Sequence, residues 1–350
     1  MLRFPWRRTA RVAPCAGPIT VVLQATGSHA WAVSGGWADA ARKLGVLGGA
    51  CAPKASWGAP DVEDDGGLSA YLRRAHPGEV MLLLGFDWHS QALHTSPRWR
   101  RRFRRSAARK LLYVHESISC FRRLTDSDSM EVAFRSAAEL ADAVLYADVA
   151  DRTLVESSGK PSLWQPFGVD VDVFRPDVPY DARAARAFFR GKVDPLLGHD
   201  SEYAARRRLL ERLRDLDLVD LVPYAPGPVE AARIAADFGR YRVAVNLPSV
   251  FAGHPTRVIE GMACGCSVVT NRTGIPEVDA LFADGVDVVY YDDERSLVDA
   301  VQRLTSDRVL GAAIAARGRR TAEERFALTR LLDEALRWAG RVVSPGVRSG

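Results

Sequence analysis

The sequence lacks most of the features that mark secreted, membrane-spanning or metal-binding proteins. None of its apolar runs approaches the ~18 residues that a membrane-spanning helix needs, and its basic first residues contain no apolar segment typical of a secretory signal. The five cysteines are odd in number and lack the paired spacing of a zinc site, so reduced thiols in a cytoplasmic protein are expected. No G-x-G-x-x-G motif follows the first apolar run, Ile19–Gln24, which disfavours a dinucleotide-dependent oxidoreductase.

The sequence does contain two successive series of short apolar runs that alternate with helical patterns. Val80–Leu84 and Ala143–Tyr146 are typical of strands buried on both faces. A second series is predicted to begin at Leu196–Leu197, and the chain ends in a helical pattern over Ala312–Arg341 with a break near Arg320–Thr321. This alternation predicts an α/β protein with two Rossmann-like, doubly wound parallel-sheet domains that face each other across a cleft.

A segment rich in proline and glycine, Trp164–Pro176, lacks helical periodicity and is interpreted as the link between the two domains. The predicted units are therefore a basic tail over residues 1–17, a first domain over 18–168, a second domain over 169–325, and a C-terminal helix within 326–350 that crosses back to the first domain.

The residues with the clearest chemistry lie in one strand–loop–helix segment of the second domain, residues 245–278. Its helix is predicted to begin at Thr256, and the loop before it presents backbone N–H groups that suit a phosphate. Arg257 adds a guanidinium group matched to phosphate oxygens, and Glu260 one turn later can accept hydrogen bonds from two ribose hydroxyls. The alternative is that Arg257 and Glu260, three residues apart, form an ordinary surface ion pair.

This segment resembles the nucleotide-binding half of group 1, family 4-like glycosyltransferases, which have the GT-B fold. That family carries two glutamates with seven residues between them, then A-M-A-x-G, a strand and a G-G-x-x-E turn. Glu260 matches the second glutamate, Gly261–Gly265 matches A-M-A-x-G, and Gly274–Glu277 matches the turn. The first glutamate falls on Ala252, a departure that affects donor handling and stereochemistry, whereas Arg257 resembles the spore-protein-like branch of the family.

The linker provides a second motif, because Pro166–Asp170 followed by Phe174–Pro176 resembles the interdomain junction of the same family. The resemblance implies transfer of a sugar from a nucleotide-diphosphate donor, with retained anomeric configuration and with no metal or further cofactor. It also implies that the second domain binds the donor and the first domain binds the acceptor. The implied catalytic residues are His115 and Arg257, and the implied donor-binding residues are Gly35, Gly36, Arg207, Gly253, His254, Thr256, Arg257, Glu260, Thr273, Gly274 and Glu277.

Two other classes of protein stay open on the sequence alone. A GT-B sugar-nucleotide epimerase would transfer no sugar to an acceptor, and a non-catalytic nucleotide- or sugar-binding scaffold would account for the missing first glutamate. A pyridoxal-dependent phosphorylase is disfavoured, because none of the lysines lies in residues 245–278. His115 has a structural alternative as well, since a histidine at the end of a strand is often only a packed side chain.

Positive charge is concentrated in Arg98–Lys110, which holds eight basic residues and no acidic one. Such a run is usually a solvated helix face. The alternative is peripheral contact with an anionic membrane at its inner, cytoplasmic face, or with an anionic acceptor. The acceptor itself stays open between a glycan, a lipid, a protein and a secondary metabolite. No pattern of aromatic and basic residues accompanies the charge, so nucleic acid is not expected as a partner.

Overall fold

The structure, a computed structural model, describes residues 18–22, 36–51, 67–84, 96–115, 117–125, 127–193, 201–223 and 230–342. The basic tail predicted over 1–17 and the strand predicted at Leu196–Leu197 lie outside these residues. The described chain forms two sheets of parallel strands, one in each half.

The first domain is built on a six-stranded sheet. Its strands are β1 (Ile19–Val22), β2 (Leu47–Cys51), β3 (Val80–Leu84), β4 (Arg109–Val114), β5 (Ala143–Tyr146) and β6 (Ser162–Trp164). Its helices are α1 (Gly36–Lys43), α2 (Leu68–Arg74), α3 (Pro97–Arg105), α4 (Ile118–Thr125), α5 (Ser129–Ala138) and α6 (Arg152–Glu156). Alternate side chains of β3 enter two separate apolar clusters, one on each face of the sheet, which explains why this strand is apolar throughout.

The second domain is built on a five-stranded sheet. Its strands are β7 (Ala184–Gly191), β8 (Val219–Pro223), β9 (Tyr241–Val245), β10 (Ser267–Asn271) and β11 (Val289–Tyr291). Its helices are α7 (Ser201–Asp215), α8 (Ala231–Gly239), α9 (Thr256–Ala263), α10 (Pro276–Asp279), α11 (Glu294–Ser306) and α12 (Arg308–Arg325). The last helix, α13 (Leu328–Val342), packs against α1 of the first domain.

Each sheet contains one point at which the chain order reverses. The first sheet has the order β2-β1-β3-β4-β5-β6, and the second has the order β11-β10-β9-β7-β8. The reversals therefore lie between β1 and β3 and between β7 and β9. Ligands of open parallel sheets bind beyond the carboxyl ends of the strands at such reversals, so these two edges define where a site is expected.

The α/β fold class with two parallel-sheet domains is confirmed, and strands β3 and β5 have the predicted bounds. The sequence analysis missed β7, because Arg186 and Arg190 interrupt its apolar run and only residues 187–189 are buried. These arginines form ion pairs with aspartates of the same domain. The helix break predicted near Arg320–Thr321 is wrong, because α12 continues to Arg325 and the chain turns at Phe326, whose side chain is buried.

The chain passes between the domains twice, and the two crossings contact each other. The N–H of Val169 donates to the carbonyl oxygen of Phe326 at 2.9 Å, and the N–H of Leu328 donates to the carbonyl oxygen of Val169 at 3.0 Å. Glycine is required at position 168, because a Cβ there would lie 2.5 Å from Leu331 Cδ1 and 2.9 Å from the Phe326 oxygen. We call this hydrogen-bonded pair of segments, 168–170 and 326–328, the paired crossing.

Candidate functional site

The β9–α9 loop, residues 246–255, leads from the carboxyl end of β9 to the first residue of α9, Thr256. Arg257 lies in the first turn of the helix, and its Nη1 donates to Asn246 Oδ1 at 2.8 Å. The Arg257 guanidinium lies over the end of β7, where a Cβ on Gly191 would be only 3.4 Å away. The residue is therefore held at the reversal between β7 and β9.

A second arginine, Arg206 of α7, lies at the same reversal and is 1% exposed. Its Nε donates to the carbonyl oxygen of Pro248 at 2.8 Å, and its Nη1 donates to that of Lys192 at 2.6 Å. The guanidinium groups of Arg206 and Arg257 lie 5.8 and 5.6 Å from the ring centre of Phe189. Burial, and then repulsion by Arg206, lowers the pKa of Arg257 to about 9, so both groups would be stabilised by an anion bound between them.

The sequence analysis assigned donor binding to Arg207, but Arg207 is exposed on α7 and its neighbour Arg206 lies beside Arg257. The buried positions of α7 include Tyr203, Leu210 and Leu213, which fall three, four and seven residues from Arg206. Arg206 therefore belongs to the apolar stripe of the helix, and this periodicity was the signal that could have identified it.

Glu260 lies one turn after Thr256 on α9 and is 7% exposed. Burial raises the pKa of Glu260 to about 7, although a hydrogen bond from the Thr256 hydroxyl and the positive charge of Arg257 act in the opposite direction. Within the described residues, no ion pair joins Arg257 to Glu260. A surface ion pair therefore does not explain this pair of residues, and a buried carboxylate remains available to accept hydrogen bonds.

His254 lies in the β9–α9 loop and is 5% exposed. Its Nε2 lies 3.0 Å from the hydroxyl oxygen of Tyr290, and that hydroxyl donates to the carbonyl oxygen of Asp279 at 3.1 Å. The histidine therefore donates from Nε2, which leaves Nδ1 as a buried acceptor with no hydrogen-bond partner among the described residues. Burial lowers the pKa of His254 to about 4, so at neutral pH it is an uncharged acceptor rather than a cation for phosphate.

The turn formed by Thr273–Glu277 is organised from within by Asp279. Its carboxylate accepts from the N–H of Thr273 at 2.8 Å, the Thr273 hydroxyl at 2.9 Å and the N–H of Gly274 at 3.1 Å. Gly274 has a φ of 75°, a value that favours glycine. Glu277 reaches the first domain, where its carboxylate lies 2.7 Å from Arg152 Nη2. The sequence analysis identified the turn but not Asp279 or Arg152.

The two candidate residues of the first domain that the structure describes, His115 and Gly36, lie in different surroundings. His115 directly follows β4 and is 5% exposed, at the same sheet edge as Ala147, which follows β5. Gly36 is the first residue of α1, and a Cβ there would lie 2.5 Å from Leu328 Cδ1. Close packing against the start of α13 thus explains the glycine at position 36. Gly35 lies outside the described residues.

The β9–α9 loop contacts the first domain at several points. The N–H of Ala252 donates to Asp148 Oδ2 at 3.2 Å, and a Cβ on Gly253 would be 3.9 Å from the carbonyl oxygen of Ala147. Arg123 of α4 donates to the carbonyl oxygen of Val250 at 3.2 Å and also forms an ion pair with Glu202 of α7. The carboxyl edges of the two sheets therefore meet at this loop.

Two further observations bear on the class of protein. Among the described residues, no group of three or more histidine, cysteine, aspartate or glutamate side chains could hold a metal ion. In the same part of the chain, no helix has the length and apolarity to cross a bilayer.

Comparison with known proteins relates both the sequence and the fold to glycosyltransferases. The family described as glycosyl transferase-like matches residues 206–337. A sequence search of curated proteins found no match. Sucrose-phosphate synthase from Thermosynechococcus elongatus shares the fold at 14% identity and a TM-score of 0.60, over 92% of this chain and 98% of that chain.

Two other structures show the same likeness. HepE from Anabaena, in complex with UDP, is 14% identical with a TM-score of 0.57, over 93% of this chain and 100% of that chain. An alpha-glucosyltransferase in complex with UDP-glucose and DNA containing an abasic site is 12% identical with a TM-score of 0.60, over 93% of this chain and 98% of that chain. The chain therefore has the GT-B fold seen in these structures, and its residues 206–337 match the glycosyl transferase-like family.

Proposed function

We propose that this protein is a retaining, metal-independent glycosyltransferase that moves a sugar from a nucleotide-diphosphate donor to an acceptor bound by the first domain. The observation that carries the proposal is the grouping of Arg206, Arg257 and the buried Glu260 at the chain reversal of the second sheet. Two guanidinium groups match a diphosphate, and a carboxylate one helical turn deeper matches the hydroxyls of its pentose. The position of Arg257 in the first turn of α9 supports the spore-protein-like branch.

The chemistry follows from where charge develops. The bond between the anomeric carbon of the sugar and the diphosphate oxygen breaks, and its electron pair remains on the diphosphate. Arg206 and Arg257 stabilise that negative charge, and such a preorganised donor is typically worth about 2.7–4 kcal/mol in the transition state. The oxygen of an acceptor hydroxyl forms the new bond to the anomeric carbon on the same face, and its proton passes to the departing phosphate oxygen.

The two histidines are assigned different roles in this proposal. His115, at the edge of the first sheet, contacts the sugar that is transferred. His254 accepts a hydrogen bond from the sugar nucleotide at Nδ1, a buried atom with no partner in the described part of the chain. Because His254 is uncharged at neutral pH, it contributes orientation rather than charge. The complexes of HepE and the alpha-glucosyltransferase contain UDP or UDP-glucose, which supports a uridine nucleotide as the first donor to test.

The experiment combines binding and turnover. Thermal unfolding is measured with UDP-glucose, UDP-N-acetylglucosamine and GDP-mannose, and release of the free nucleotide is then followed for any sugar nucleotide that stabilises the protein. The Arg206→Ala variant is expected to lose both signals, whereas Arg208→Ala, an exposed arginine on the same helix, retains them. Stabilisation without release of nucleotide would favour a binding scaffold, and isomerisation of the sugar on an intact donor would favour an epimerase.

We also propose that this enzyme is cytoplasmic and contacts an anionic membrane through a basic surface of the first domain. Helix α3 buries Trp99 and Phe103, and successive helical residues are rotated by about 100°, so its other side faces solvent. Four exposed arginines occupy that side: Arg98, Arg101, Arg104 and Arg105. Arg73 and Arg74 are exposed at the end of α2, which packs against α3. Within the described chain, none of these six forms an ion pair.

One basic residue of the predicted Arg98–Lys110 run does not belong to this basic surface. Lys110 is buried in β4, and its ammonium group donates to the carbonyl oxygens of Ser106 and Ala108 at 3.1 and 2.9 Å. Lys110 therefore makes no contribution to an external surface, while α2 adds two arginines that the sequence analysis did not include.

Sedimentation with vesicles tests this contact. Each arginine near an anionic surface is worth about 1 kcal/mol, so replacing the four arginines of α3 by glutamine should abolish binding to phosphatidylglycerol vesicles. Vesicles of phosphatidylcholine and a triple variant with three exposed arginines of the second domain replaced, Arg303, Arg317 and Arg320, are the controls. Equal sedimentation of all three proteins would refute the membrane contact.

A further inference from the structure

We infer that Asp148 is a positioning residue that couples closure of the two domains to the shape of the β9–α9 loop. The inference rests on the proposed function, because the loop is taken to hold the donor diphosphate. Asp148 belongs to the first domain, two residues after β5, and its side chain is almost fully buried. The loop belongs to the second domain.

The two carboxylate oxygens of Asp148 bind N–H groups from different domains. Oδ1 accepts from the N–H of Ala150 at 3.0 Å and so caps the short 3-10 helix that follows β5. Oδ2 accepts from the N–H of Ala252 at 3.2 Å. The first bond is local and persists in any arrangement of the domains, whereas the second exists only while the domains are together.

The bonded N–H lies at a sensitive place in the loop. Ala252 precedes His254 by two residues and the start of α9 by four. The loop is anchored to its own domain at Pro248 by Arg206, and it is held to the first domain at Val250 by Arg123. Asp148 thus fixes the backbone between the anchored part of the loop and the helix start that faces the phosphates.

The energetic consequence is reciprocal. If the bond from Ala252 to Asp148 favours the loop shape that binds the donor, then the bound donor favours the closed arrangement by the same factor. A hydrogen bond to a charged acceptor is strong enough to matter here, since its loss typically changes an equilibrium by about tenfold or more. Asp148 acts in this way through the loop backbone and not through contact with the sugar.

Asp151, three residues further along, provides a matched control. It is also buried, and its two oxygens accept from the N–H groups of Ile118 and Ser119 at 3.0 and 2.7 Å. Both partners belong to the first domain, at the start of α4. Asp148 and Asp151 therefore have similar burial and the same kind of bond, but only Asp148 bridges the domains.

The test compares Asp148→Asn with Asp151→Asn. Asparagine at position 148 can still cap the N–H of Ala150, but its amide group would meet the N–H of Ala252 donor to donor. Affinity for UDP-glucose, with GDP-mannose measured in parallel, is determined by calorimetry. The radius of gyration with and without sugar nucleotide is determined by X-ray scattering, and thermal unfolding reports stability.

The expected result is that Asp148→Asn weakens sugar-nucleotide binding by about tenfold and reduces the ligand-induced compaction, because the lost bond is charge-assisted. Asp151→Asn should lower the unfolding temperature and leave the affinity within about twofold, because its lost bond lies within one domain. Asp148→Ser, which keeps the cap but is too short to reach the loop, should behave like Asp148→Asn if the latter folds poorly.

Wild-type affinity in the Asp148 variants, or an equal loss in Asp151→Asn, would overturn the inference while leaving the proposed function intact. A wild-type protein that binds neither sugar nucleotide would overturn the proposed function, and the coupling with it.

Discussion

Donor binding is expected to strengthen as the pH rises through 7, and Glu260→Gln is expected to remove this dependence. Burial raises the pKa of Glu260 to about 7, so the carboxyl group is mostly protonated at pH 6 and mostly ionised at pH 8. Both oxygens of the ionised group can accept hydrogen bonds from the pentose hydroxyls, whereas the protonated group presents one of its oxygens as a donor. If the bound donor keeps the group ionised, affinity at pH 8 exceeds that at pH 6 by about tenfold, or ~1.4 kcal/mol.

Calorimetric titration with UDP-glucose measures this effect. UDP-glucose is preferable to UDP, because each of its phosphates is linked through two bridging oxygens and keeps a constant charge between pH 6 and 8. Glu260→Gln should bind with one affinity throughout this range, weaker than wild type at pH 8 by about 1.5–3 kcal/mol, because a charge-assisted acceptor has been lost. His254, whose pKa is about 4, does not titrate in this range. Asp151→Asn controls for a second buried acid, whose pKa is raised by burial to about 6.

The raised pKa of Glu260 predicts the opposite pH dependence for the stability of the unliganded protein. A carboxyl group whose pKa is higher in the folded state binds more protons there, so folding stability falls as the pH rises from about 4.5 through 7. Glu260→Gln should flatten this decline in thermal unfolding. Wild-type affinity for UDP-glucose that is equal at pH 6 and pH 8 would refute the reasoning, because it would mean that the Glu260 carboxylate does not bind the donor.

Three further predictions concern Arg206, Gly36 and Gly168. Arg206→Ala should weaken UDP-glucose binding by about tenfold or more, whereas Arg207→Ala should leave it unchanged in the same titration; the reverse outcome would restore the sequence-based assignment. Gly36→Ala should lower the free energy of unfolding by about 1–3 kcal/mol, and the added change Leu328→Ala should relieve the clash; intact stability with weakened donor binding would instead assign Gly36 to the donor site. Gly168→Ala should lower the free energy of unfolding, measured by chemical denaturation, by at least as much as Gly36→Ala. The reason is that a Cβ at position 168 would meet a backbone oxygen, which cannot move alone. An unchanged denaturation midpoint would contradict this.

Much of the fold is predictable because its strands are buried on both faces. Strands such as β3 contain only apolar residues and stand out in any sequence context. Strand β7 was not recognised because Arg186 and Arg190, which pair with acidic side chains of neighbouring elements, give it a polar pattern. A prediction from local pattern alone cannot know that those partners are present.

In the candidate site, too, residues that lie close together in the sequence could be predicted, and residues that depend on distant contacts could not. Thr256, Arg257 and Glu260 belong to one continuous segment, so their spacing on a helix already places them together. The role of Arg206 depends on which side of α7 faces the sheet, and that of Arg152 depends on contact between the domains. Such residues become visible only when distant parts of the chain are brought into contact.

The paired crossing restricts how the domains can move. Two independent linkers would allow one domain to slide or twist against the other, but two segments joined by backbone hydrogen bonds behave as a single hinge. The permitted motion is then a hinge rotation of one domain relative to the other about the paired crossing. Displacement grows with distance from the hinge, so a small rotation there separates most the parts of the two domains that lie farthest from segments 168–170 and 326–328.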